Sequence, residues 1–222
     1  KTQIRGDDIT VRQGELEGRQ VAIALSGAGR QNAARAAETL IDGHAPKWVI
    51  SAGFAGGLVP ELARHDLVMA DKLADTEGNK LEIELRADRE WLKRTPGLHL
   101  GRLLTADRVV RLPDEKRSLG KEHEALAVDM ETFAVAEVCR RRKTRFLAIR
   151  VVSDAVDDEL PEDIEKLLRQ TTTAGRLGAA VGSIWRRPSS FKDMVKLKEN
   201  ALLASDKLAK FLAGVIGQLP SS

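Results

Sequence analysis

Residues 127–158, AVDMETFAVAEVCRRRKTRFLAIRVVSDAVDD, admit few folds. They read as a helix with an acidic entry, a basic turn, and an apolar strand closed by a second acidic cluster. Counting three, four, seven and eight residues from Glu131 gives Ala134, Val135, Val138 and Cys139, an apolar stripe. Glu131 therefore sits at the helix head and points along the buried face. Asp154 directly follows the apolar run 146–152, so it belongs at the C-terminal end of a strand, where open α/β sheets bind their ligands. Two carboxylates brought to one crevice suggest acid chemistry.

Upstream, residues 9–16 and 20–25 are β-rich runs separated by Glu17, Gly18 and Arg19, which predicts a hairpin. The second run, QVAIAL, is almost wholly apolar, the pattern of an interior strand. It leads through Ser26-Gly27-Ala28-Gly29 into an alanine-rich helix over residues 31–41 that Gly43 stops. Residues 47–52 form the next strand, followed at once by the loop Gly53-Phe54-Ala55-Gly56-Gly57. Residues 67–70 and 98–104 are further strands, and the charged span 71–94 between them fits a strand and a short helix at an edge. Beyond the strand at 146–152, residues 154–163 form an acidic loop, 164–185 a helix and 186–190 a break. Leu208, Phe211, Leu212, Val215, Ile216 and Leu219 then keep the spacing of an amphipathic helix. Alternating strands and helices predict a single α/β domain whose central sheet is mixed, because its opening hairpin is antiparallel. Residues 1–185 make up that domain, and 186–222 a basic amphipathic helical extension.

Composition narrows the function classes. A formal net charge of +3, with 36 basic residues interleaved with 33 acidic ones, is too weak an imbalance for nucleic-acid binding. The single cysteine, Cys139, excludes an internal disulfide and fits a reducing, cytoplasmic compartment; on its apolar stripe it reads as a small buried hydrophobe. No run is long and apolar enough to cross a bilayer. His44, His65, His99 and His123 are scattered without metal-ligand spacing, and no nucleophile elbow is present, so the chemistry rests on carboxylates and no metal or cofactor is expected.

Two glycine-rich stretches sit at strand ends. Gly27-Ala28-Gly29-Arg30-Gln31-Asn32 stands between a strand and a helix, a place where backbone N–H groups hold anions; Asn32 replaces the third glycine of a dinucleotide fingerprint, and a tight turn explains the pattern equally well. Gly53, Gly56 and Gly57, crowded after a buried strand, favour close approach of a ligand over a plain turn. Asp129 alone is best read as a helix N-cap. Glu131, on the apolar side, must lose its charge, meet donors such as ligand hydroxyls, or pair with a cation among residues 140–143, Arg145 or Arg150.

Three stretches, SAGFAGGLVPELARHDLVMAD, VDMETFAVAEVC and FLAIRVVSDAVDD, resemble in this order the signatures of the nucleoside phosphorylase/nucleosidase superfamily. The nearer likeness is to the 5′-methylthioadenosine/S-adenosylhomocysteine nucleosidases, over residues 13–158, while the tail from Trp185 resembles that of hopanoid-associated, adenosylhopane-cleaving relatives. The resemblance implies a three-layer fold, a homodimer, and release of adenine from a 5′-substituted adenosine without a cofactor. It casts Asp154 as proton donor to N7 of the purine with Ser153 orienting it, and Glu131 as holder of the ribose hydroxyls above Met130. Arg150 matches an arginine near the attacking oxygen, and Gly53, Phe54, Ala55 and Gly56 match the loop over the ribose. Val109 and Val110 fall in the segment that packs on the base, and Val128 joins the substrate contacts. Where phosphorolytic members carry an arginine before the glycine loop this chain has Ser51, which favours water over phosphate. The family's first strand, with the glutamate that activates water, has no counterpart before Lys1: either an N-terminal segment precedes this sequence, or the chain lacks that base and is expected to be severely impaired in hydrolysis. The alternatives are a phosphorylase and a non-catalytic nucleoside-binding homologue. The basic tail offers peripheral membrane contact or, alternatively, a helix packing its apolar side on the domain.

Overall fold

A computed structural model of the chain describes residues 3–6, 9–85, 94–162, 164 and 191–220. The strands are β1 (Gln3–Gly6), β2 (Ile9–Leu16), β3 (Arg19–Leu25), β4 (Trp48–Gly57), β5 (Leu67–Asp75), β6 (Lys80–Glu82), β7 (Leu98–Thr105), β8 (Ala127–Asp129) and β9 (Arg145–Asp154). The helices are α1 (Arg30–His44), α2 (Pro113–His123), α3 (Thr132–Arg141) and α4 (Phe191–Gln218). The helix expected at 164–185, all but Ile164, the break at 186–190 and part of the span 71–94 lie outside the described residues.

The β2–β3 hairpin forms as the sequence predicts. Glu17 and Gly18 take φ of 51° and 72°, the two left-handed residues of a tight turn whose twist suits the flanking strands. Among the described residues the hairpin does not join the main sheet, however. It belongs to a separate three-stranded sheet of order β1-β2-β3, so β3 is an edge strand and its Ile23 is 55% exposed. The expectation of an interior strand for residues 20–25 is therefore corrected.

The main sheet has the order β6-β5-β7-β8-β4-β9, with β5 also pairing β9. It is mixed on its own account: β4 runs parallel to β9, β5 to β7 and β7 to β8, while the β4–β8, β5–β6 and β5–β9 pairs are antiparallel. Side chains alternate across its strands. On β5 and β9, Val68, Ala70, Ala148 and Val152 face the layer that holds Phe133 and Ala136 of α3. Leu67, Met69, Leu147, Ile149 and Val151 face the opposite layer, where Ala204, Leu208, Phe211 and Val215 of α4 pack. Helix, sheet and helix make three layers. From Ala204 on, the tail helix packs apolar side chains on the sheet, the arrangement offered above as the alternative to membrane contact, while Leu202 and Leu203 stay exposed.

Two boundaries differ from the sequence reading. Helix α1 runs past Gly43 and ends where Ala45 turns left-handed at φ 41°, its N–H reaching the Ile41 carbonyl. Small residues explain its place: Ala33 and Ala37 let it pack closely on Val135, Val138 and Cys139 of α3. The glycines 53, 56 and 57 form no loop; they continue β4, whose partner β9 supplies their hydrogen bonds as far as Gly56.

Candidate active site

The sheet brings its polar residues together along β4 and β9. Gly53 pairs with Arg150 and Gly56 with Asp154. Because Ala55 pairs with Val152, Ser153 is one residue too many on β9, a bulge of the kind that re-aims side chains beside functional sites. Four residues of strand separate Arg150 from Asp154, about 13 Å.

Arg150 anchors one half of the site. Its side chain is 3% exposed and that of Asp129 0%, and the two lie 2.7 Å apart. The guanidinium Nε also donates to Asp129 Oδ2 at 2.9 Å; Nη2 donates to Ser51 Oγ at 2.8 Å and Thr132 Oγ1 at 2.5 Å, and Nη1 to the Ile149 carbonyl at 3.0 Å. Asp129 further accepts from Thr105 Oγ1 at 2.8 Å, from the Thr132 N–H at 3.2 Å and from the Thr132 hydroxyl. Asp129 does therefore bond to the head of α3, as a capping residue would, but it also neutralises a buried arginine. Taking one partner from such a pair costs about 3–5 kcal/mol, because the other charge is left stranded.

Glu131 is the residue that this network leaves out. It is the N-cap of α3 by position. Arg150 takes Asp129 as its partner, and Glu131 instead accepts the Gly29 N–H at 2.7 Å and the Met130 N–H at 3.2 Å. Burial and the adjacent Asp129 charge push its carboxyl above the ordinary value of 4.5, against the pull of the Gly29 N–H, of Arg150 and of the Met130 N–H. The glycine turn at residues 27–29 is thus a donor to a side chain, a role read from the sequence as either a turn or an anion seat. Arg30 continues from it across the sheet edge, 3.3 Å from Asp75 and donating to the Thr105 carbonyl at 3.2 Å.

Asp154 anchors the other half. Ser153 Oγ donates to its Oδ1 at 2.6 Å, and Lys116 Nζ to its Oδ2 at 2.5 Å. Gly56 lets Asp154 come close, because a Cβ there would stand a tight 3.0 Å from Asp154 Oδ2; at Gly53 the nearest atom to a Cβ is Arg150 Cζ at 3.9 Å, ordinary contact distance. Phe54 is 37% exposed and Met130 and Val109 are half-buried, whereas Ala55, Val110 and Val128 are buried. Val110 and Val128 share a core cluster with Leu58, Ala74 and Leu104.

Sequence reasoning missed Lys116, Thr105 and Thr132. For Lys116 a signal was present: it stands four residues after Leu112 and three before Leu119, on the apolar side of α2, where an unpaired lysine is not tolerated. The threonines gave none, since each looks like any helix-head or strand-end residue. Among the described residues no cluster of His, Cys, Asp or Glu has the geometry of a metal site. Cys139, its thiol pushed up to about 12 by burial, is held as an inert thiol. A separate cavity of about 190 Å³, lined by Trp48, Ile83, Arg145 and Phe146 among others, lies at the opposite end of β4 and β9 from Asp154.

The chain is similar to a 5′-methylthioadenosine/S-adenosylhomocysteine nucleosidase of Geobacillus thermodenitrificans, with 30% identity over 177 residues covering 70% of this chain and 75% of the relative. A nucleosidase of the same description from Tolumonas auensis is 29% identical over 178 residues, covering 70% of this chain and 77% of the relative. Among solved structures, the nucleosidase of Neisseria meningitidis in complex with methylthio-immucillin-A superposes with a TM-score of 0.73 at 24% identity, covering 98% of this chain and 90% of that one. The futalosine hydrolase of Helicobacter pylori superposes at 0.64 with 22% identity, covering 82% and 88%. The sequence model of the Phosphorylase superfamily matches residues 3–182. With that match over most of its length, on a three-layer fold that such nucleosidases share, the chain belongs to the phosphorylase superfamily.

Proposed function

We propose that the protein is a purine-nucleoside N-glycosidase that hydrolyses a 5′-substituted adenosine to adenine, working as a cytoplasmic homodimer. The observation that carries this reading is the pair of differently treated carboxylates. Asp154 is gripped through both oxygens beside a glycine strand, whereas Glu131 makes no ion pair among the described residues and is left with a raised proton affinity. Breaking an N-glycosidic bond builds positive charge on the sugar and negative charge on the base. A carboxyl at the base meets the second need by giving up a proton, and a carboxylate across the ribose hydroxyls fixes the ring and strengthens its contacts as charge develops. Asp154 takes the first role and Glu131 the second, with Met130 and Phe54 against the sugar. The relatives named above, described as nucleosidases acting on methylthioadenosine and S-adenosylhomocysteine, support the reaction class. A futalosine hydrolase on the same fold leaves the 5′ group open.

The engagement of Arg150 supports water as the nucleophile. All three guanidinium nitrogens already have acceptors, and Asp129 cancels the charge that a phosphate would need. The test is incubation of the full-length protein, including any segment that precedes Lys1, with methylthioadenosine, S-adenosylhomocysteine and inosine, with and without phosphate. Adenine is expected from the 5′-thio substrates, at a rate phosphate does not change. In Asp154→Asn the rate is expected to fall by about 10²–10⁴-fold, the usual contribution of a general acid. Near-normal turnover in that variant, or ribose 1-phosphate as product, would overturn the assignment.

A further inference from the structure

The Lys116 side chain is 0% exposed. An ammonium taken wholly out of water needs an acceptor for each of its three N–H bonds. It has them in Asp154 Oδ2 at 2.5 Å, the Asp158 carbonyl at 2.7 Å and the Ala155 carbonyl at 3.0 Å. Two of the three are neutral, and the Asp158 carboxylate is turned to Arg64 at 2.7 Å. Asp154 is therefore the carboxylate in direct contact with this buried cation. Packing fixes where the ammonium sits: one turn further along α2, Gly120 lies so close to Leu58 that a Cβ would be 2.6 Å from the Leu58 carbonyl oxygen.

We propose that Lys116 is a positioning residue for the leaving-group acid: its ammonium holds Oδ2 of Asp154, turns Oδ1 toward the departing base, and meets the charge left when the proton is delivered. The inference rests on the reading of Asp154 as the acid. As the C1′–N9 bond breaks, its electron pair goes to the purine and the proton of Asp154 passes to the base. The carboxylate that remains already faces a fixed ammonium, so no reorganisation is needed to stabilise it. Water adds its hydroxyl to C1′, and its spare proton restores the carboxyl. Nothing else is consumed.

The experiment is a double-mutant cycle on the full-length protein, including any segment that precedes Lys1, with methylthioadenosine, comparing Lys116→Met, Asp154→Asn and the pair. Lys116→Met is expected to lower kcat by about 100-fold with KM unchanged, since it removes an interaction made in the transition state. The double variant is expected to match Asp154→Asn in kcat and KM, because Lys116 acts through Asp154. Where Lys116→Met alone fails to fold, the comparison of Asp154→Asn with the double variant still decides, since that pair strands no carboxylate. Equal rates there support the proposal. A further loss in the double variant, or a Lys116→Met effect confined to KM or to the melting temperature, overturns it. A full-length wild-type protein that releases no adenine instead overturns the nucleosidase reading itself, so the two failures are told apart.

Discussion

Asp129 and Glu131 are two residues apart, yet the structure gives them opposite electrostatic settings. Asp129 has an arginine against it, whereas Glu131 has two backbone N–H groups and a like charge next door. The consequence for stability has a definite sign. A carboxyl whose proton affinity is raised on folding keeps its proton where the unfolded chain has lost it, so the native state binds more protons and stability falls as pH rises from about the ordinary 4.5 through the raised native value. Thermal unfolding followed across that range should show the decline in the wild-type chain and a flatter profile in Glu131→Gln. An unchanged slope would mean that another group sets it. The sequence indicated that Glu131 faced the buried side, because Ala134, Val135, Val138 and Cys139 follow it at helical spacing. It could not say which acid Arg150 would choose, since that depends on Thr105 and Ser51 arriving from other strands.

At the scale of elements, helix α2 is what places a cation at the site, and its position is set by one small residue. A methyl at Gly120 would press on the Leu58 backbone, which no rotamer change relieves. Gly120→Ala is expected to cost about 1–3 kcal/mol, the usual range for overpacking, and to lower activity as Lys116 shifts with its helix. Chemical denaturation and turnover measured on the same sample would check both. The start of α2 carried a signal that the sequence reading above did not take up, Pro113 in its first turn with Asp114 and Glu115 beside it. The bulge at Ser153 was not. A bulge is a mismatch between two strands, and only the registered pair, Ala55 with Val152 and Gly56 with Asp154, makes it visible.

For the whole molecule, α4 closes the layer opposite the site, and its Phe211 is buried among side chains of β5 and β9. Phe211→Ala is expected to destabilise the protein by about 3–5 kcal/mol in urea titration, a cost that a tail lying free of the domain would not show. The apolar spacing of Leu208, Phe211 and Val215 determined by itself that this segment would be a helix with one sheltered side, just as the short apolar run of residues 146–152 determined a buried strand ending in an acid. These are local patterns, and each is complete within a short stretch of chain. What covered the tail, why residues 20–25 lie at an edge, and which cation meets which carboxylate were decided by tertiary structure alone. Those outcomes depend on partners tens of residues away: Lys116 reaches Asp154 only because α2 packs on Leu58, and Arg150 reaches Asp129 only because β9 runs beside β4.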